Sequence, residues 1–411
     1  MAYKNNKERN RNMLKNKTVI LGVTGSIAAY KIANLASMLV KQHCDVHVIM
    51  TENATNFINP ITFETLTSNK CIVDTFDRNF QYNVEHVALA KKASVMMVAP
   101  ASANVIGKMA NGIADDMLTT TALAMQNRII VVPAMNTNMY ENPIVQDNMR
   151  KLEKYGIRIV EPDCGRLACN DIGKGKLPKE ELLFEHILMS TIDKDMVGKK
   201  VLVTAGATME AIDPVRYITN HSTGKMGYAI ARKAALRGAD VTLVTGQTSI
   251  EKPQFVKVID VKSAKDMFEA VKDNYKEQDI IIKSAAVADY TPVTVSDNKI
   301  KKSDGNISIE LERTTDILAY LGEHKSPNQF ICGFSMETEK LMVNSKVKLE
   351  KKKADMIIAN SLTQEGAGFG VDTNKVYIIT KDECKDVELM SKEKLADVIL
   401  DEILYLLVEE N

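Results

Sequence analysis

Short, nearly continuous apolar runs recur along the chain, separated by longer stretches in which apolar positions return every third or fourth residue. Thr18–Val23, Val46–Met50, Val95–Ala99 and Ile129–Pro133 are runs of the first kind. A strand covered on both faces carries no alternating polar positions, so these runs predict parallel strands between helical layers. Ala28–Lys41 and Ala114–Met125 have the longer period and predict helices. Strand and helix alternating in this way predict a doubly wound α/β sheet.

The rhythm restarts near residue 200. A helical stretch, Glu180–Met189, is followed by the charged segment Thr191–Lys200 and then by a fresh apolar run, Lys200–Thr204. Val241–Thr245, Asp279–Ser284, Phe330–Phe334, Met356–Ala359 and Val376–Thr380 continue the series. The pattern therefore predicts a polar tail over 1–17, one domain over 18–190, a linker over 191–199 and a second domain over 200–411. In both domains a ligand is expected at the carboxyl ends of the strands, where the strand order reverses.

Composition narrows the class. At 411 residues the chain exceeds what a single ordinary core accommodates, which agrees with two domains. Its 53 basic and 53 acidic residues cancel, so neither a nucleic acid nor a membrane surface is expected as a partner. The six cysteines include no CxxC pair, which argues against zinc or a disulfide framework and for a reducing compartment. No apolar run approaches membrane-spanning length, and Met1–Lys17 lacks the apolar segment of a secretory signal. A soluble cytoplasmic protein is expected.

The first strand runs into Gly22-Val23-Thr24-Gly25-Ser26-Ile27-Ala28-Ala29. A turn rich in glycine and hydroxyl groups at the start of a helix suits an anion, because free backbone N–H groups point at it. The spacing is not GxGxxG, and Glu52 is the nearest candidate for a ribose-binding acid, so a nicotinamide cofactor is disfavoured and a monophosphate such as that of FMN fits better. Further on stand Glu85-His86, Ala99-Pro100-Ala101-Ser102-Ala103-Asn104, Pro133-Ala134-Met135-Asn136-Thr137-Asn138-Met139 and Gly165-Arg166-Leu167-Ala168-Cys169.

Through these segments the first half resembles the homo-oligomeric flavin-containing cysteine decarboxylases; the PxMNxxM and GxLAC segments are the specific ones. The resemblance implies a flavodoxin-like fold with FMN held by Gly25, Ser26, Ile27, Ala28, Thr51, Ser102, Asn104 and Met135. It implies that FMN oxidises the thiol of phosphopantothenoylcysteine to a thioaldehyde, into which electrons flow as carbon dioxide leaves. It casts His86 as the acid–base residue, Asn136 as the amide that binds the substrate carboxylate, and Cys169 as the proton donor on a mobile flap. Asn170 follows Cys169 where the family has glycine, and asparagine tolerates the left-handed conformation that glycine would supply there. Tyr140 stands in place of the family's tryptophan.

The second half opens with Val203-Thr204-Ala205-Gly206-Ala207-Thr208, another strand–turn anion site, followed by Asp213-Pro214-Val215-Arg216-Tyr217-Ile218-Thr219-Asn220-His221-Ser222-Thr223-Gly224-Lys225-Met226-Gly227. Arg216 and Lys225 are read as charges for phosphate. Ala285-Ala286-Val287-Ala288-Asp289-Tyr290, Lys299-Ile300-Lys301-Lys302, Gly333-Phe334 with Glu337-Thr338-Glu339, and Gly368-Phe369-Gly370 with Asp372 and Asn374 complete the set. These segments resemble the phosphopantothenate–cysteine ligases, which implies a Rossmann-like ligase domain. That family joins 4′-phosphopantothenate to L-cysteine through an acyl-cytidylate made from CTP, with Mg2+ and lysines stabilising the phosphate charge. The resemblance casts Asn220 as the residue for turnover of the acyl-cytidylate. It places CTP against Lys283, Ser284, Ala285, Asp289, Lys299, Thr315, Asp316, Ile317, Leu318, Phe334, Lys348 and Lys352, and names no metal ligand. Without the resemblance, Lys346–Lys353 would read as a solvated helix face. Together the halves imply a homo-oligomeric, bifunctional decarboxylase–ligase of coenzyme A synthesis. A flavin prenyltransferase or a flavin-bound regulatory module for the first half, and a dinucleotide oxidoreductase for the second, are the weaker alternatives.

Overall fold

The computed structural model describes residues 14–76, 85–167, 170–301, 306–337, 341–361, 368 and 370–409. The chain divides into two compact units, Met1–Ile192 and Asp193–Asn411.

In the first unit, β1 (Thr18–Val23), β2 (Asp45–Met50), β3 (Val95–Ala101), β4 (Arg128–Pro133) and β5 (Arg158–Ile159) form one sheet in the order β2-β1-β3-β4-β5. All neighbours are parallel, with Val19 opposite both Val46 and Val95. Every residue of β1 and β3 is buried, which explains why their sequences are unbroken apolar runs. Helix Ile32–Lys41 buries Ile32, Leu35, Ala36 and Leu39, a stripe at the i, i+3, i+4, i+7 spacing. The order is that of the flavodoxin-like doubly wound sheet, whose direction reverses between β1 and β3.

Local capping shifts some helix starts. The stretch expected as a helix from Ala28 opens as a 3-10 turn, Ile27–Lys31, before the α-helix begins. The helix expected from Ala114 starts at Met117, because Asp116 and Thr119 close a reciprocal capping box. The described end of the expected tail is not free: Leu14 is fully buried, and Lys17 N–H donates to its carbonyl. Beyond β5, β6 (Asp163–Arg166) and β7 (Ile172–Lys176) form an antiparallel hairpin.

The second unit holds β8 (Lys200–Ala205), β9 (Met209–Ala211), β10 (Tyr217–Thr219), β11 (Asp240–Thr245), β12 (Lys257–Asp260), β13 (Ile280–Lys283), β14 (Tyr290–Pro292), β15 (Leu311–Arg313), β16 (Phe330–Glu337), β17 (Met356–Ser361), β18 (Thr373–Ile379) and β19 (Cys384–Ser391). Its main sheet runs β12-β11-β8-β13-β16-β17-β18-β19. The first six strands are parallel in Rossmann order, and β18 and β19 add antiparallel. The switch point falls between β8 and β13. β9 with β10 and β14 with β15 are small antiparallel pairs beside it.

The segment expected as a linker packs against this unit. Met196 is fully buried, its N–H donates to the Arg237 carbonyl, and the Arg237 guanidinium grips Asp195 through two bonds of 2.8 and 2.7 Å. Arg237 also pairs with Asp401, while Lys233 pairs with Asp397, so two ion pairs a turn apart tie helix Lys225–Leu236 to helix Lys392–Glu409. Of the charged residues that suggested a linker, Asp195 pairs with Arg237, Lys194 with the Leu236 carbonyl and Lys200 with Glu277. Among the described residues no helix is long and apolar enough to cross a membrane.

Candidate ligand sites at the ends of the parallel strands

In the first unit the switch point is held by a residue that sequence reasoning passed over. Thr24 is fully buried; its hydroxyl donates to the Pro100 carbonyl at 2.7 Å and accepts from the Ser102 N–H at 2.9 Å. One hydroxyl therefore ties the loop after β1 to the loop after β3. Ser26 caps the following turn by accepting from the Ala28 N–H, and Ser102 caps helix Ala103–Ala110 by accepting from the Val105 N–H. Gly25 approaches the segment after β2 so closely that a Cβ would lie 2.8 Å from the Asn53 Cβ. Thr24→Val keeps the volume and removes both bonds, leaving a buried carbonyl and N–H unpaired. At about 1–3 kcal/mol for each unsatisfied buried group, denaturant unfolding of the first unit is expected to show a loss of about 3 kcal/mol.

Gly25, Ser26, Ile27, Ala28, Ser102 and Asn104 thus lie on two turns joined by Thr24. Thr51, at the end of β2, has a buried hydroxyl with no hydrogen-bond partner. A ligand acceptor or donor there would remove the cost of that orphaned group. This donor set fits the phosphate-bearing flavin expected from the sequence, and the β1/β3 switch point is where the fold class places one.

The hairpin is seated on the loop after β4. Met135 N–H donates to the Gly175 carbonyl at 3.0 Å, and a Cβ on Gly175 would lie 2.2 Å from the Met135 carbonyl oxygen. Gly173 packs with the same intimacy against the Thr137 side chain. Asn136 caps helix Thr137–Glu141 by accepting from Asn138 N–H, and its amide donates to Asp171 Oδ2 at 3.0 Å. Asn170 has φ 69°, the left-handed conformation expected of it, and its side chain accepts from Arg166. Cys169 lies outside the described residues, as do Lys302, Thr338, Glu339 and Phe369. His86 is in the first turn of helix Glu85–Lys92, partly buried, and among the described residues no hydrogen bond joins it to Asn136 or to the phosphate turns. Tyr140 is buried, its hydroxyl pushed up by that burial.

In the second unit the end of β13 meets the turn after β8. Ala285 N–H donates to the Thr204 hydroxyl, Ala286 N–H to the Gly206 carbonyl and Ala288 N–H to the Thr208 hydroxyl. Asn220 donates to the Ala286 carbonyl at 3.3 Å, which brings it to the same segment as Ser284, Ala285 and Asp289. Lys283 is surrounded by charge. Desolvation is the largest influence and pulls its ammonium down to about 8; Asp316 opposes this, Lys348 adds to it, and Asp289 and Lys352 act more weakly. Lys352 pairs with Asp316 at 2.6 Å, and Lys348 donates to the Phe334 carbonyl at 3.3 Å. Of the Lys346–Lys353 run, Lys348 and Lys352, one helical turn apart, face this cluster, while Lys346, Lys351 and Lys353 are exposed.

Several expectations change here. Ile317 and Leu318 are core side chains, 1% and 4% exposed, so only their backbone groups at the start of helix Ile317–His324 can meet a ligand. Thr315 is exposed beside them, and Asp316 caps the helix by accepting from Ala319 N–H. Lys225 is paired with Asp372 at 2.6 Å and with the Gly370 carbonyl, and Arg216 with Asp213. Lys299 is exposed on a loop whose next residue, Ile300, is clamped by Asp213 and Arg216. Asp213 itself, almost fully buried, is the second residue the sequence did not single out. Among the described residues no group of three or more His, Cys, Asp or Glu side chains is placed to share a metal ion.

The two units define a tandem of α/β domains: a flavodoxin-like one with a glycine- and hydroxyl-bearing turn and a seated hairpin, and a Rossmann-like one with a lysine cluster near its switch point. Residues 7–192 match the family described as Flavoprotein, and residues 196–406 match the DNA/pantothenate metabolism flavoprotein C-terminal domain. Over 397 residues the chain is 47% identical to the coenzyme A biosynthesis bifunctional protein of Bacillus subtilis (strain 168), covering 95% of this chain and 97% of that protein. The protein of the same name from Borreliella burgdorferi is 43% identical over 396 residues, 96% of this chain and all of that one. A cysteine/cysteine sulfinic acid decarboxylase from an unknown prokaryote is 42% identical over 356 residues, 85% and 99% of the two chains. The chain belongs to the family of coenzyme A biosynthesis bifunctional proteins.

Proposed function

We propose that the second unit joins 4′-phosphopantothenate to L-cysteine at the expense of CTP and that the first unit decarboxylates the product, with FMN, to 4′-phosphopantetheine. The observation that carries this reading is that the 47% identity extends over both units and 97% of the Bacillus relative, so neither half is missing.

In the ligase unit, CTP lies over the β8/β13 switch point. Its triphosphate meets Lys283, Lys348, Lys352 and Lys299, and Lys352 exchanges Asp316 for phosphate oxygen. Attack by the phosphopantothenate carboxylate on the α-phosphate releases pyrophosphate, and these lysines balance the charge that develops. Asn220, held against Ala286, then orients the acyl-cytidylate for attack by the cysteine amine. Mg2+ enters with the phosphates, as that ion commonly does.

In the decarboxylase unit, bound FMN would take two electrons from the thiol and return them after carbon dioxide has left, so the net reaction is redox-neutral. The phosphate turn and the Thr51 hydroxyl hold the cofactor, Asn136 holds the substrate carboxylate, His86 moves the thiol proton and Cys169 returns one to the ene-thiol. The unit works as a cytoplasmic homo-oligomer.

Lys283 gives this reading a pH signature. Its value near 8 lies below that of an unfolded lysine, so burying the charge costs stability below pH 8, and that cost fades between about pH 8 and 10. CTP requires the ammonium, so its affinity is expected to fall by up to about tenfold per pH unit above 8 while folding stability rises. Calorimetric titration with CTP from pH 7 to 9.5 checks this, and Lys283→Met should flatten the profile. An affinity independent of pH in the unmodified protein would remove Lys283 from the triphosphate site.

The whole reading is tested by incubating the purified protein with 4′-phosphopantothenate, cysteine, CTP and Mg2+ and following products by mass with the flavin spectrum. Phosphopantetheine formed only when CTP is present supports both halves. Accumulated phosphopantothenoylcysteine would leave the ligase alone, and carbon dioxide from free cysteine without CTP would assign the first unit the activity named for its third relative.

A further inference from the structure

The Asn136 side chain is oriented by its own helix. Its Oδ1 accepts from Asn138 N–H at 2.9 Å, which fixes which end of the amide is nitrogen and turns Nδ2 outward to the hairpin. There Nδ2 donates to a carboxylate, Asp171 Oδ2, at 3.0 Å. The amide proposed above for the substrate carboxylate therefore already gives one of its two N–H donors to a carboxylate of the protein. Asp171 is carried by a turn that is closed through its main chain. Leu167 N–H donates to the Asp171 carbonyl at 2.8 Å and Asn170 N–H to the Leu167 carbonyl at 2.9 Å. Behind it, Gly175 seats the hairpin on Met135. The Asp171 side chain itself is exposed.

We propose that Asp171 is an internal competitor for the substrate carboxylate and sets the preference of the site between substrate and product. This rests on the decarboxylase reading of the first unit. A substrate carboxylate at the same amide meets the like charge of Asp171 and is favoured only as Asp171 gives way, whereas a decarboxylated product makes no such demand. When the carboxylate departs as carbon dioxide, Asp171 regains the amide and the product loses its claim on that corner of the site. The residue acts through Asn136 and is a positioning residue; it forms and breaks no covalent bond.

The test is a pair of titrations on the full-length flavin-loaded protein, read by perturbation of the flavin spectrum, with phosphopantothenoylcysteine and with 4′-phosphopantetheine. In Asp171→Ala the carboxylate compound is expected to bind about tenfold more tightly, since the like charge at the amide is gone, while the affinity for phosphopantetheine moves less than about twofold. Asp171→Asn, which keeps a neutral acceptor, should fall between. In turnover the KM for the carboxylate compound should fall in the same order. Equal shifts for both compounds would make Asp171 a structural residue, and weaker binding of the carboxylate compound would make it a ligand; either overturns the proposal. Wild-type protein that binds neither compound would refute the decarboxylase reading itself, and this proposal with it.

Discussion

Substituting alanine for Gly175 is expected to lower decarboxylation of phosphopantothenoylcysteine about a hundredfold while CTP-dependent amide formation in the same sample is unchanged. Gly175 sits at φ +136°, a conformation open to glycine and strained for any residue with a Cβ. Its missing Cβ would fall 2.2 Å from the Met135 carbonyl oxygen and 3.3 Å from the Met135 carbonyl carbon. Both obstacles are main chain, so no side-chain rotation relieves them and the hairpin must lift. Lifting it breaks the Met135–Gly175 hydrogen bond that holds the loop carrying Asn136. A displacement of about 1 Å at a reacting site costs on the order of a hundredfold in rate. Gly173→Ala should cost less, about tenfold, because its obstacle is a side chain, Thr137, and its own φ is not in the left-handed region. Gly107→Ala, in a helix at ordinary φ and with its Cβ meeting only the Asn148 side-chain nitrogen at 3.7 Å, is the control for handling losses. Carbon dioxide release, flavin content and ligation rate measured on one preparation separate the possibilities. A Gly175→Ala protein that keeps its flavin and decarboxylates at the normal rate would show that the seated hairpin is irrelevant to the chemistry.

The contrast between Gly175 and Thr24 shows which parts of the site could be read from sequence. The strands were legible because burial on both faces removes every polar alternate position, as in β1 and β3. β19 was not, since none of its residues is buried and its sequence CKDVELMS carries no apolar run. Asn170 could be anticipated because its conformation depends on its own side chain. Thr24 and Asp213 could not, because their work is done across 76 and 87 residues of sequence, by hydrogen bonds to Pro100 and Ile300. The lysine run at 346–353 shows the same limit: its composition gives a charged face, but only packing chooses Lys348 and Lys352 as the two that turn inward. Nor does composition show the partners that Lys225, Arg216 and Asp195 each take inside their own unit.

Asp213→Ala is expected to reduce CTP-dependent pyrophosphate release about a hundredfold and to leave decarboxylation of supplied phosphopantothenoylcysteine unchanged. Asp213 Oδ1 accepts from the N–H groups of Val215 and Arg216, each at 2.8 Å, and Oδ2 accepts from Arg216 Nε at 2.9 Å and from Ile300 N–H at 3.2 Å. Arg216 then donates to the Ile300 carbonyl at 2.9 Å. Main-chain groups on both sides of Ile300 are thereby fixed to one buried carboxylate, and the direction in which neighbouring Lys299 projects follows from that. Removing the carboxylate frees Arg216 and the loop together, so Lys299 loses its placement although it is itself untouched. Loss of one placed charge at a phosphoryl-transfer site costs about 10²–10³ in rate. Asp213→Asn is the sharper variant. It keeps the volume and one acceptor but turns an NH₂ group toward the Arg216 donors, and an intermediate loss is expected. The Arg216 guanidinium is the largest influence holding the Asp213 carboxyl well below the usual carboxylate range. The clamp therefore contributes its full stability above about pH 4, the range of an unfolded aspartate, and weakens only as the pH falls below it. Ligation above that range should show no titration attributable to Asp213, in contrast to the alkaline change assigned to Lys283. If Asp213→Ala and Lys299→Ala each lower ligation and the double variant is no worse than either, the two act as one unit; fully additive losses would show that Asp213 does not work through Lys299.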